Sequence, residues 1–221
     1  MMRQQQDAHA SPAVLCCVCS APARCAYNIQ AKRYYECPRC AALFLDPAAY
    51  LTAAEERRRY ELHNNDVNDP RYQRFVEPIV AEIVARVERG GAGLDFGAGT
   101  GPVVATLLQA NGYSMELYDP FFWPERAALK RTYDFITCCE VIEHFHAPAQ
   151  EFALMRSLIR PGGIVCCKTD LLTDDTDFQS WYYKNDPTHV VFYHARTLAW
   201  LKKACDFSAL EIRGRVVIFM A

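Results

Sequence analysis

Nine residues, Gly93-Leu94-Asp95-Phe96-Gly97-Ala98-Gly99-Thr100-Gly101, constrain this chain more than any other stretch. A short apolar run ends at Phe96, glycine then takes every second position, and a helix-compatible segment, Pro102 to Ala110, follows at once. Strand, glycine turn and helix in that order bring backbone N–H groups and little side-chain bulk to a ligand at the strand's carboxyl end. Alone, G-x-G-x-G occurs in many nucleotide folds and in plain loops, so its neighbours decide what it means.

Downstream, the segments alternate. A strand from Ser114 to Tyr118 ends in Asp119, and another, Phe135 to Cys139, runs into Glu140-Val141-Ile142-Glu143-His144-Phe145. A helix over Ala149 to Ile159, the turn Arg160-Pro161-Gly162-Gly163 and a strand Ile164 to Lys168 follow. A helix Ala195 to Ala204 and two strands, Leu210 to Arg213 and Val216 to Met220 about Gly214, close the chain. This alternation predicts an α/β fold, a Rossmann-like parallel sheet with helices on both faces and ligands beyond the strands' carboxyl ends. A carboxylate at Asp119, some twenty residues past the glycine turn, is placed to accept hydrogen bonds from ribose hydroxyls.

The 221 residues suggest one main domain with a small appendage, and 51% hydrophobic content suffices for a core. No apolar run reaches membrane-spanning length, and a formal charge of −2 gives no global basic field for nucleic acid. The polar, Gln-rich start lacks the apolar core of a secretion signal, so a reducing cytoplasm with free thiols is expected. Two of the pairs among the eleven cysteines, Cys138-Cys139 and Cys166-Cys167, lie in strand-like runs and read as small hydrophobes on opposite faces.

Four other cysteines have a different meaning. Cys16 and Cys19, then Cys37 and Cys40, form two C-x2-C knuckles with seventeen residues between them, the spacing of a four-thiolate structural zinc site. Lys32 to Glu36 predicts a strand leading into the second knuckle. So short a segment buries little surface alone, and metal binding is expected to supply its folding free energy.

Next comes a connector. Leu51 to Leu62 predicts a helix, opened by a Thr52/Glu55 capping box. Arg71 to Arg89 predicts another, with Phe75, Ile79, Ile83 and Val87 on one face. The polar loop His63 to Asp69 between them reads either as a solvated loop or as a lid over the site.

The ordered set Leu94 to Gly101, Asp119, Tyr133-Asp134-Phe135 and Leu158 to Gly163 resembles the motifs of class I S-adenosylmethionine-dependent methyltransferases, over about residues 72 to 221. The chain is therefore expected to divide into a disordered tail (1–12), a zinc ribbon-like module (13–48), a helical connector or lid (49–90) and, by the resemblance, an S-adenosylmethionine-binding methyltransferase domain (91–221). The resemblance implies that Asp95 and the turn Gly97 to Gly101 hold the methionine part of the cofactor and that Asp119 holds its ribose. Phe96, Ala98, Gly99, Pro120, Cys139 and Glu140 complete the expected cofactor-binding set. One departure is visible: residues 120–132 are too few for the usual helix and third strand. Phe121, Phe122 and Trp123 either wall the adenine or pack in the core.

In a helical turn Glu140, Glu143 and His144 share a face, and two carboxylates with an imidazole suit a hard divalent ion. Glu-x-x-Glu-His here is similar to plant-type small-RNA 2′-O-methyltransferases and quinone-biosynthesis O-methyltransferases. That similarity implies a second divalent metal on Glu140, Glu143, His144 and His189. Without metal, His144 or His189 is the expected general base, with Glu143 and Tyr193 in the catalytic set. His146 is expected to face away. The long loop Thr173 to Tyr193, rich in aromatics, reads as an acceptor pocket or as a cover for the sheet edge. The expected activity is O- or C-methylation of a small-molecule or sugar-like acceptor. RNA methylation, with the zinc module as nucleic-acid clamp, is the alternative.

Overall fold

The computed structural model describes residues 14–63 and 65–221; the expected tail, 1–12, lies outside them. The chain begins with an antiparallel meander, β1 (Arg24–Ile29), β2 (Lys32–Glu36) and β3 (Leu43–Leu45). Gln30 and Ala31, both left-handed at φ 51° and 62°, turn β1 into β2. Helix α1 (Ala53–Glu61) starts at the expected capping box, and α2 (Pro70–Arg86) starts at an Asp69 cap with proline in its first turn.

The alternating part then runs β4 (Ala92–Phe96), α3 (Val103–Ala110), β5 (Ser114–Tyr118), β6 (Tyr133–Cys139), α4 (Pro148–Leu158) and β7 (Ile159–Lys168). It ends with β8 (Val191–Phe192), α5 (Ala195–Ala204), β9 (Ala209–Arg213) and β10 (Val216–Met220). Six strands form one sheet in the order β5-β4-β6-β7-β10-β9. The pairs from β5 to β7 are parallel, and β10 pairs antiparallel with both β7 and β9. Strand order reverses at β4, which places the glycine turn at the switch point where such sheets bind ligands. Strand β7 begins at Ile159, earlier than expected. Residues 120–132 add no strand to this sheet, so β5 stands at its edge.

Strand pleating divides the core. Leu94, Phe96, Ile136, Cys138, Val165, Cys167, Val217 and Phe219 face one side, toward α4 and α5. Phe135, Ile164, Cys166, Val216 and Ile218 face the other, toward Val76, Ile79, Val80 and Ile83 of α2 and Val103, Val104 and Leu108 of α3. The cysteine pairs are thus split between faces, as two-residue periodicity requires. Phe75 departs from the expected core stripe: it is 36% exposed, with Lys168 Nζ 3.4 Å from its ring centroid.

The N-terminal module is joined to the main core. Cys16, Val18, Cys19, Tyr35, Cys37, Cys40, Ala42 and Phe44 belong to the same apolar cluster as Phe152 and Leu198. Within the expected long loop, β8 pairs antiparallel with β3, Leu43 opposite Phe192 and Phe44 opposite Val191. The loop aromatics Phe178 and Tyr183 pack on Tyr34, Leu43 and Leu45 rather than form an open pocket. Apolar burial on the neighbouring core therefore contributes to the module's folding free energy.

Candidate active site

The four cysteines converge among the described residues. Their sulfurs all lie within 4.8 Å of one another, with Cys16–Cys40 at 3.6 Å and Cys19–Cys37 at 3.4 Å. A disulfide needs about 2.05 Å, whereas tetrahedral ligation at about 2.3 Å per Zn–S bond sets sulfurs about 3.8 Å apart. The two knuckles repeat one geometry: Ser20 N–H donates to Cys16 O and Ala41 N–H to Cys37 O, each from a left-handed residue. This donor set fits zinc in type, burial and spacing.

At the carboxyl end of the sheet lies one cavity of about 820 Å³. Asp95, Phe96, Gly97, Ala98, Gly99, Gly101, Asp119, Pro120, Cys139 and Glu140 all line it, together with His144 and His189. Gly97 and Gly99 are left-handed at φ 84° and 62°. A Cβ on Gly97 would meet the Val141 side chain at 2.6 Å, and one on Gly101 the Asn65 carbonyl oxygen at 1.7 Å. The 63–69 loop therefore lies against the glycine turn, and His63 and Asn65 line the cavity, whereas Asn64 is outside the described residues.

Three of the turn's N–H groups are engaged within the protein rather than offered to a ligand, contrary to the sequence expectation. Gly97 and Ala98 donate to Tyr118 O, and Gly99 donates to Asp119 Oδ2 at 3.0 Å. What the turn offers a ligand is close backbone approach. Asp119 Oδ1 also accepts from the Phe121 and Phe122 N–H groups, and the Trp123 indole donates to Gly99 O. Phe121 and Phe122 line the cavity. Asp95 is buried, accepts from Thr137 Oγ1 at 2.9 Å, and is pushed up to about 6 by burial.

Three of the four expected metal-binding residues come together. One ligand atom each of Glu143, His144 and His189 lies within 4.8 Å of the others. Glu140 does not join them. Its backbone is left-handed at φ 53°, which breaks the helical turn, and its carboxylate goes to Lys168 (2.7 Å) and Arg215 (3.0 Å). Nδ1 of His144 pairs with Thr188 O at 2.9 Å and Nδ1 of His189 with Tyr183 O at 2.6 Å. A carbonyl can only accept, so both Nδ1 carry hydrogen and both Nε2 present lone pairs. Burial lowers both imidazoles below their ordinary value, keeping them neutral near pH 7. Glu143 is fully buried, accepts from Thr169 and Tyr183 hydroxyls, and is raised to about 7 by burial and by Glu140.

Tyr193 is not brought to the cavity: it is fully buried and donates to Ile142 O at 2.7 Å, supporting the turn that carries Glu143. His146 is corrected in the opposite sense. It lines the cavity, because the turn at residues 142–144 is a tight 3-10 turn and the chain then extends. Tyr183 held the missed role, hydrogen-bonding Glu143, Glu140 and Thr169. Glu56 and Tyr60 of α1 also line the cavity. Their one-turn spacing was visible, but in an Arg/Glu-rich helix it reads as a solvated face.

The sheet order, switch-point glycine turn and strand-end carboxylate define the class: a methyltransferase of the S-adenosylmethionine type. The chain belongs to the methyltransferase domain family, whose pattern it matches over residues 69–212. It is 29% identical over 93 residues to the ubiquinone biosynthesis O-methyltransferase of Colwellia psychrerythraea, a match spanning 41% of this chain and 37% of that protein. It shares its fold with Burkholderia thailandensis 1,6-didemethyltoxoflavin-N1-methyltransferase, solved with 1,6-didemethyltoxoflavin and S-adenosylhomocysteine bound. That likeness has a TM-score of 0.51 and 16% identity, over 90% of this chain and 97% of the other. An O-methyltransferase family protein from the same organism gives a TM-score of 0.48 and 13% identity, over 69% of this chain and 60% of the other. Among the described residues, no helix is long and apolar enough to cross a membrane.

Proposed function

We propose that this protein transfers the methyl group of S-adenosylmethionine to a hydroxyl of a small, uncharged acceptor. One observation carries the reading: a single cavity runs from the glycine turn to His144 and His189, and no described lining residue is Lys or Arg. Five carboxylates, Glu56, Asp95, Asp119, Glu140 and Glu151, line it instead. Phosphate-rich acceptors need cations at their contacts, so this wall disfavours RNA and favours a neutral small molecule. The names of the curated O-methyltransferase relative and of the toxoflavin-precursor enzyme support a small acceptor.

In this reading Asp95 and the glycine turn hold the methionine part of the cofactor, Asp119 its ribose, and Phe121 and Phe122 flank the adenine. The acceptor lies toward His144 and His189. One neutral Nε2 takes the hydroxyl proton as the oxygen lone pair bonds the methyl carbon in line and the C–S pair stays on sulfur. Tyr183 and Thr169 hold Glu143 beneath the two rings. Glu143, His144 and His189 also fit a divalent cation in donor type; when bound, it would lower the acceptor hydroxyl's pKa. Cys16, Cys19, Cys37 and Cys40 hold one structural zinc.

Calorimetry with S-adenosylmethionine tests the central step: wild type binds, and Asp119→Ala and Gly97→Arg abolish binding. A wild type that does not bind sinks the proposal. Turnover that survives chelator while zinc is retained assigns proton removal to the imidazoles alone; loss of turnover assigns a cation to Glu143, His144 and His189.

A further inference from the structure

Helix α1 buries one side chain, and it is a carboxylate: Glu56, 8% exposed. A carboxylate taken from water needs a partner, and His146 Nε2 lies 2.8 Å from its Oε1. The Tyr50 ring lies against the imidazole, centroids 4.4 Å apart. Glu56 and His146 both line the cavity, yet the methyl-transfer steps above use neither. One turn along α1, Tyr60 sets its ring edge-on to His144 at 5.3 Å and against Phe121 at 5.7 Å. A single helix thus supplies both an aromatic wall beside the proposed base and a polar pair beyond it.

We propose that Glu56 and His146 form an acceptor-recognition pair, taking a hydrogen-bond donor, hydroxyl or amine, at a position other than the methylated atom. The inference rests on the reading of the cavity as a methyl-transfer site for a small acceptor. Nε2 of His146 is committed to Glu56, while His146 Nδ1 and Glu56 Oε2 have no protein partner among the described residues. Carboxylate oxygen only accepts. With no Lys or Arg in the described wall, the pair selects a donor and rejects a carboxylate or phosphate. Tyr60 and Phe145 beside it favour a planar body for the acceptor.

The test is calorimetry on protein saturated with S-adenosylhomocysteine, comparing phenol with the three dihydroxybenzenes and the three aminophenols. At least one bifunctional probe is expected to bind about 5–10-fold more tightly than phenol, one hydrogen bond's worth. The hydroxyl and amine series show which donor is taken. Glu56→Gln and His146→Phe should reduce that probe to phenol's affinity while S-adenosylhomocysteine binds as in wild type, which also shows that both variants fold. The ¹⁵N signals of His146 should move on probe addition, a response a purely structural pair would not give. Equal affinity for phenol and all six probes, no binding of any probe, or a preference that survives in His146→Phe overturns the proposal. Failure of S-adenosylhomocysteine itself to bind would instead overturn the methyl-transfer reading beneath it.

Discussion

Val190 donates its backbone N–H to the Glu143 carbonyl at 2.9 Å, while its own carbonyl accepts from Leu45. One residue thereby links the cysteine module's last strand to the turn carrying Glu143, with His189 immediately before it. In the proposed reading, the module would brace the end of the cavity that holds His144 and His189.

From this brace, Cys37→Ser combined with Cys40→Ser should loosen residues 173–193 without emptying the cofactor half. Limited proteolysis should cut within that segment in the variant and not in wild type. S-adenosylhomocysteine affinity should stay within about threefold, because among the described residues the glycine turn and the four cysteines have no hydrogen-bond partner in common. Equal protease resistance would refute the bracing role.

Tyr183→Phe removes the hydroxyl that donates to Glu143 and leaves a buried carboxylate short of a donor. The expected cost is about 1–3 kcal/mol, read as a lower midpoint in denaturant at unchanged slope. Tyr182→Phe, whose hydroxyl meets Asp170 at a 59% exposed position, should cost far less.

Two glycines separate fold from site. A Cβ on Gly93 would lie 2.2 Å from the Phe135 ring and 2.7 Å from Met115 Sδ, so Gly93→Ala overpacks the core. It should destabilise the fold by about 1–3 kcal/mol or more. Gly101→Ala strikes Asn65, whose carbonyl oxygen would lie 1.7 Å from the new Cβ; it should displace the 63–69 loop and weaken cofactor binding with a smaller stability loss, measured by calorimetry beside thermal melting.

Asp95 gives a pH signature. Its carboxyl is raised by burial from 3.8 to about 6, so the folded state holds the proton more tightly than the unfolded state. The stability this contributes is present below pH 3.8 and is lost as pH rises through about 6. Asp95→Asn removes that titration. The cofactor-free variant should gain stability relative to wild type between pH 4 and pH 8, by on the order of 3 kcal/mol. Parallel stability curves for the two proteins over that range would contradict this.

Much of this was legible locally. The capping box at Thr52 and Glu55, the extent of α5 and β5, and the short 120–132 connection follow from propensity, caps and length, which act within a few residues. The site was harder to read. The helical-turn reading of Glu140 failed because a left-handed residue there redirects its carboxylate to Lys168 and Arg215, which lie 28 and 75 positions away. Tyr193 and Tyr183 are alike in sequence, and their roles are set by which one reaches Glu143. His146 was misplaced because a 3-10 turn does not keep helical facing.

The sequence by itself determined the strand, glycine turn and helix, the two cysteine knuckles, and the carboxylate at the end of β5, because each rests on short-range spacing and backbone sterics. Only the tertiary structure decided that β8 completes the module's sheet, that Glu143, His144 and His189 meet without Glu140, and that Glu56 turns inward to His146. These depend on contacts between residues far apart in the chain, whose partners no local pattern names.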